Sequence, residues 1–181
     1  MDSLININTL GKRYALFTEW ALRDVSLTIS RGEVYGLVGE NGAGKTTLIR
    51  ILLGLISPTK GRVSLSHRVR LGYVPEQPSF HYTLKVREHL NLVGGISGLC
   101  GKKLRSRVDE VLEVVDLSAK AKVRIGTLLK GKLQRLGIAQ AVLDEPELVV
   151  MDEPAGCLDP LGQKEIRDLI VLLNQQGKTV L

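Results

Sequence analysis

The chain has 181 residues, a net charge of +6, 44% hydrophobic residues and 24% charged residues. That much apolar content can offset the ordering entropy of a compact core, so a disordered or low-complexity chain is excluded, and the length suits one domain with a small inserted lobe. Aromatics reach only 4%, too few to read nucleic acid by stacking, and no apolar window approaches the roughly 20 residues of a membrane span.

The acidic start, Met1-Asp2-Ser3, carries no signal-peptide pattern. Residues 4 to 8 alternate loosely and Val25 to Ile29 alternates clearly, so both predict strands. After the turn Ser30-Arg31-Gly32, the apolar run Glu33 to Val38 predicts a buried strand leading into a glycine-rich loop. Lys45 to Leu55 has helical spacing through Leu48, Ile51, Leu52 and Leu55. The turn Ser57 to Gly61 closes that unit, and Arg62 to Ser66 and Arg68 to Val74 predict two further strands.

From Leu84 the pattern becomes helical. Val86 to Val93 and Leu104 to Val115 are predicted helices, separated by the glycine-rich stretch Gly94 to Gly101. The densest basic group, Lys102, Lys103, Arg105 and Arg107, is mixed with Asp109 and Glu110 and reads as a solvated face. Gly131 to Leu143 predicts another helix, Leu148 to Met151 a fully apolar strand, Ile166 to Leu173 an amphipathic helix, and Gly177 to Leu181 the start of a last strand. Strands alternating with helices indicate an α/β fold with a parallel sheet and a helical insertion from about 84 to 130. Cys100 and Cys157 stand in no metal-ligand spacing and read as reduced thiols of a cytosolic protein.

Gly39-Glu40-Asn41-Gly42-Ala43-Gly44-Lys45-Thr46 fits the phosphate-loop pattern at every fixed position, between a predicted strand and a predicted helix. Glycines let successive backbone N–H groups turn toward phosphate oxygens, and the helix that follows adds its positive dipole end. Lys45 would neutralise the outer phosphates and Thr46 would offer its hydroxyl to Mg²⁺.

Such a loop needs a metal carboxylate from another buried strand, and Asp-Glu-Pro occurs twice, at 144–146 and 152–154. Asp152 follows four apolar residues, as a core strand delivering a carboxylate to its C-terminal edge would require. Asp144 follows Ala139-Gln140-Ala141-Val142-Leu143, which continues a helix, so Asp144 and Glu145 read as exposed helix-end residues. Asp152 is therefore assigned to Mg²⁺, and Glu153 to polarising the attacking water.

With both motifs placed, the chain from Leu4 to Leu181 resembles the ATP-binding cassette (ABC) ATPase domain, above all the subunits that power separately encoded membrane domains. The resemblance implies an α/β fold of the P-loop NTPase class, with a mainly parallel sheet, N-terminal antiparallel strands and an inserted ABC-type helical subdomain. The nucleotide-binding core would occupy 1–83 and 131–181, and the helical subdomain 84–130. Tyr14 matches the aromatic that stacks on adenine, the phosphate contacts extend to Thr47, and Asp159 matches the aspartate that links two subunits. The resemblance also implies ATP and Mg²⁺ as ligands, a second ATPase subunit, a membrane-spanning transporter subunit, and a cytoplasmic position on the inner face of the cell membrane; no nucleic-acid partner is expected.

Two departures from the family pattern stand out. Where the family carries its glutamine, this sequence reads Tyr73-Val74-Pro75-Glu76-Gln77, so either Glu76 or Gln77 takes the role of coordinating Mg²⁺ or water. The signature, ideally Leu-Ser-Gly-Gly-Gln, is Leu128-Leu129-Lys130-Gly131-Lys132, with Leu129 in place of the serine that reaches the partner's γ-phosphate. Backbone N–H groups at Gly131 and Lys132 could still face phosphate, with Lys130 or Lys132 adding charge. The family's switch histidine follows the strand begun at Thr179, and the sequence reaches Leu181 before it, which reads as an interrupted element. His67, His81 and His89 lie upstream and read as surface residues. Leu129 and the missing histidine together imply a second reading, an ATP-binding subunit that hydrolyses poorly in an asymmetric dimer.

Overall fold

The computed structural model describes residues 3–15, 19–66, 69–156 and 158–181. In chain order the elements are β1 (Ser3–Lys12), β2 (Leu22–Ser30), α1 (Lys45–Leu52), β3 (Lys60–Leu65), β4 (Leu71–Val74), α2 (Val86–Ile96), α3 (Gly101–Val114), α4 (Lys130–Val142), β5 (Leu148–Met151), α5 (Pro160–Gln175) and β6 (Thr179–Val180). Short 3-10 turns lie at Ser118–Lys120 and Ile125–Thr127. The elements group into two compact units: residues up to Val69 with Thr179–Leu181, and Arg70–Lys178.

In the first unit β1 is the middle of an antiparallel sheet with the order β2-β1-β3. Paired along both edges, it carries the sheet's apolar load, and Leu4, Ile5, Ile7 and Leu10 are all buried. Each such side chain contributes about 1.5–3 kcal/mol relative to exposure. β2 alternates as its sequence predicts. α1 buries Leu48, Ile49, Ile51 and Leu52 but stops at Leu52; a turn follows, and Leu55 is exposed rather than helical.

The predicted buried strand over 33–38 does not form as such. It makes one parallel bridge, Val34 to Val180, with Tyr35 N–H donating to Val180 O (2.8 Å) and Val180 N–H donating to Glu33 O (2.9 Å). Val34 and Val38 are exposed.

In the second unit β4 and β5 pair in parallel, from Leu71 opposite Leu148 to Val74 opposite Met151. All four β5 residues are buried, as expected for a parallel strand covered on both faces. The helices α2, α3 and α4 share a core that includes Val86, Leu90, Val108, Leu112 and Leu136. The predicted break at Gly94 is instead helix, because α2 runs on to Ile96. Gly94 is buried, and a Cβ there would collide with Leu104 of α3. Its missing side chain is used for helix packing, not to end the helix.

Two arginines fasten this unit. Arg107 of α3 donates from Nη2 to Val142 O (2.7 Å) and from Nε to Leu143 O (3.0 Å), capping the last turn of α4. Arg135 of α4, buried, donates to Val115 O (2.9 Å) and pairs with Glu165 of α5 (2.8 Å).

His89 corrects the sequence reading, since it is buried. Its Nε2 lies 2.8 Å from Gln140 Oε1 and its ring meets Phe80 edge-on at 5.3 Å. His81 is exposed as expected, and His67 and Cys157 lie outside the described residues. Among the described residues no helix is long and apolar enough to cross a membrane.

Candidate functional site

The first unit brings together the phosphate-loop residues and Tyr14. Gly42 (φ 86°) and Gly44 (φ 91°) hold left-handed backbone, and Ala43 N–H donates to Glu40 O (3.1 Å), curling the loop. Gly44 admits no substitute: besides its φ, a Cβ there would run into the Ala21 carbonyl oxygen. Residues from Gly39 to Ala43, Asn41 included, are exposed. α1 starts directly after Gly44 with no side-chain cap and no acidic residue in its first turn. No acidic residue of that first turn therefore offsets the positive helix end that faces the loop.

Lys45 Nζ donates to Gly39 O (2.8 Å) and Glu40 O (3.2 Å), so its ammonium is folded over the loop's own carbonyls. Thr46 is exposed one residue later. Tyr14, 59% exposed, has its hydroxyl 3.2 Å from that of Thr47, and Lys12 Nζ lies 5.4 Å from its ring centroid.

The second unit carries the carboxylates. β5 ends at Met151 and puts Asp152 at its C-terminal edge, buried, with its N–H donating to Val74 O at the end of β4 (2.9 Å). Glu153 follows with φ 46° and is exposed. Asp144 and Glu145 lie in an exposed turn after α4, and Glu145 Oε1 is 4.0 Å from Arg107 Nη1. Glu76 and Gln77 both sit in the exposed bend beyond β4, and both side chains face solvent.

Asp159 caps α5, accepting from Gly162 N–H (2.9 Å), with Pro160 at the first helical position. It shares a groove of about 450 Å³ with Leu129, Lys130, Gly131 and Leu161. Leu129 is the N-cap of α4, 82% exposed and without a side-chain cap bond, while Lys132 Nζ is 3.3 Å from Asp116.

Among the described residues no cluster of three His, Cys, Asp or Glu side chains could hold a metal. The Thr46 hydroxyl in the first unit and the Asp152 carboxylate in the second are each hard oxygen donors, the ligand type that Mg²⁺ takes.

The sequence profile of the ABC transporter family matches residues 22–156, from the start of β2 to just beyond Glu153. The chain belongs to the ABC transporter family. The bacitracin transport ATP-binding protein BcrA of Bacillus licheniformis is 39% identical, over 94% of this chain and 57% of that protein. The Nod factor export ATP-binding protein I of Bradyrhizobium diazoefficiens is 36% identical, over 97% of this chain and 60% of that one. This ABC chain thus spans less than two thirds of the length of these relatives. Among solved structures, cbiO1 of Clostridium perfringens, described as part of the ABC transporter complex cbiONQ, superposes with a TM-score of 0.89 at 27% identity, covering 99% of this chain and 77% of that one. The ABC fold class, with N-terminal antiparallel strands, parallel pairing and a helical region, is thereby established.

Two features of this ABC chain had no reading in its sequence. Arg107 counts there as part of a solvated basic group, yet it caps α4. Trp20 carries no motif, yet it lies under two cations beside the Tyr14 segment. The available signal was the adjacent Lys12-Arg13 pair a few residues before the chain's one tryptophan.

Proposed function

We propose that this chain is the ATP-binding and hydrolysing subunit of an ABC transporter, energising transport by a separate membrane subunit. The observation that carries this reading is the phosphate loop, whose left-handed glycines and inward-folded Lys45 form a cradle for a polyphosphate.

Tyr14 stacks on adenine, and loop N–H groups from Gly39 to Thr47 donate to the phosphates. Lys45 exchanges its two carbonyl contacts for the outer phosphates, a trade of neutral acceptors for charged ones that strengthens each hydrogen bond. Thr46 would offer its hydroxyl and Asp152 its carboxylate to Mg²⁺, which would supply charge neutralisation for the phosphates. Glu153 takes the proton from the attacking water, and Glu76 or Gln77 orients that water or the metal shell. A second subunit closes head to tail, with Gly131 and Asp159 of each facing the other's nucleotide. The membrane partner docks near Glu76 to Leu84 and the helical region, holding the subunit at the cytoplasmic face of the membrane.

Lys45→Ala should lower ATP affinity at least about tenfold by removing a charge-assisted contact. Glu153→Gln should keep its nucleotide while hydrolysis stops, and unchanged turnover in that variant would remove Glu153 as the base.

Leu129 supports a second reading, an ATP-binding subunit with poor hydrolysis in an asymmetric dimer. At 82% exposure it presents methyl groups where a hydroxyl would reach phosphate. Phosphate release measured beside a nucleotide titration separates the two: full binding with negligible release selects the second.

A further inference from the structure

We propose that Trp20 is a positioning residue for nucleotide binding, acting through Arg13 to fix Tyr14; the proposal rests on the reading that Tyr14 stacks on adenine. Tyr14 is 59% exposed, and an exposed ring gives up its rotamer freedom when a base lands on it. Affinity therefore depends on how far the ring is held beforehand.

The backbone next to Tyr14 is pinned from one side. Arg13 N–H donates to Thr59 Oγ1 (2.9 Å), Thr59 Oγ1 donates back to Arg13 O (3.2 Å), and Lys12 Nζ donates to Ser57 O (2.8 Å). Trp20 closes the other side. The Arg13 guanidinium lies 4.6 Å from its ring centroid and Lys60 Nζ lies 5.0 Å from it. Lys60 is itself anchored on Asp24 at 2.6 Å.

One indole thus receives both a cation from just beyond β1 and a cation from β3. Gly11 makes the arrangement possible. A Cβ there would come within 2.8 Å of both the Trp20 ring and the Lys60 side chain. Without the indole, Arg13 loses its aromatic contact, and the residue next to Arg13 is Tyr14. The phosphate loop keeps all its own bonds.

The effect should consequently fall on the base and spare the phosphates. Calorimetry on the full chain with Mg²⁺ compares ATP with inorganic tripolyphosphate. Trp20→Ala should weaken ATP about fivefold and tripolyphosphate less than about twofold, while Trp20→Phe, which keeps a ring for the cations, stays within about twofold of the parent for both. Arg13→Gln, which leaves the indole in the fold, should reproduce the Trp20→Ala split. Equal losses for both ligands mean a general structural role and overturn the proposal, as does wild-type ATP affinity in Arg13→Gln. Tyr14→Ala tells this failure from that of the underlying reading. If it loses ATP affinity while Trp20→Ala does not, only the role of Trp20 falls; if Tyr14→Ala binds ATP normally, the adenine assignment falls and takes this proposal with it.

Discussion

The Tyr14 hydroxyl lies 3.2 Å from the hydroxyl of Thr47, in the first turn of the helix that follows the phosphate loop. This bond ties the aromatic to the helix that follows the loop, so in the proposed binding mode base and phosphate contacts would share one frame. If the two hydroxyls act as a unit, Tyr14→Phe and Thr47→Val should each weaken ATP about two- to tenfold, the range of one hydrogen bond. The double variant should be no weaker than the worse single one. Multiplying losses in a calorimetric cycle would show that the hydroxyls act separately.

Leu129 occupies a helix N-cap with the extended backbone that a capping serine uses, φ −71° and ψ 158°. Leu129→Ser should stabilise the chain by about 1 kcal/mol, because the new oxygen accepts from an N–H of the first turn. The urea midpoint should rise with an unchanged slope. A lower midpoint would mean that the leucine side chain stabilises the groove more than a cap would.

Arg107→Met keeps much of the buried stem and removes two hydrogen bonds to the end of α4. The loss should cost about 2–4 kcal/mol, since each bond comes from a charged donor and the carbonyls of Val142 and Leu143 are left without it. Arg107→Lys should recover less than half, because a single ammonium cannot reproduce the spread of the guanidinium donors. Chemical denaturation of both variants measures this.

Lys178 is half-buried and donates to Pro146 O (3.2 Å); burial first, then the nearby Arg107 charge, lowers its pKa below the ordinary 10.5. The unfolded chain holds that proton more tightly, so the charge costs stability at neutral pH, and the cost fades as pH rises through the lowered value toward 10.5. Relative to Lys178→Met, the parent chain should gain stability over that interval. A constant difference between the two from neutrality to pH 10.5 would contradict the shift.

Local signals were enough where chemistry or periodicity is written in consecutive residues. The phosphate loop, the apolar β5 before Asp152, and the helices α2 to α5 are all visible in that way. Errors arose where the decisive partner is distant in sequence. Gly94 looks like a breaker until Leu104 is seen against it. His89 looks polar and exposed until Gln140 and Phe80 receive it. Val38 looks like core because its run is apolar, but that run forms a single bridge, Val34 to Val180, and Val38 is exposed. Glu76 and Gln77 are adjacent in one exposed bend beyond β4.

Arg135 joins three helices at one guanidinium: its own α4, the end of α3 at Val115, and α5 through Glu165. The groove walls at Leu129 and Leu161 are the starts of α4 and α5, so that clamp makes them two prongs of one stiff fork. Loss of that guanidinium would remove the ion pair that links α4 to α5 and the hydrogen bond that links α4 to the end of α3.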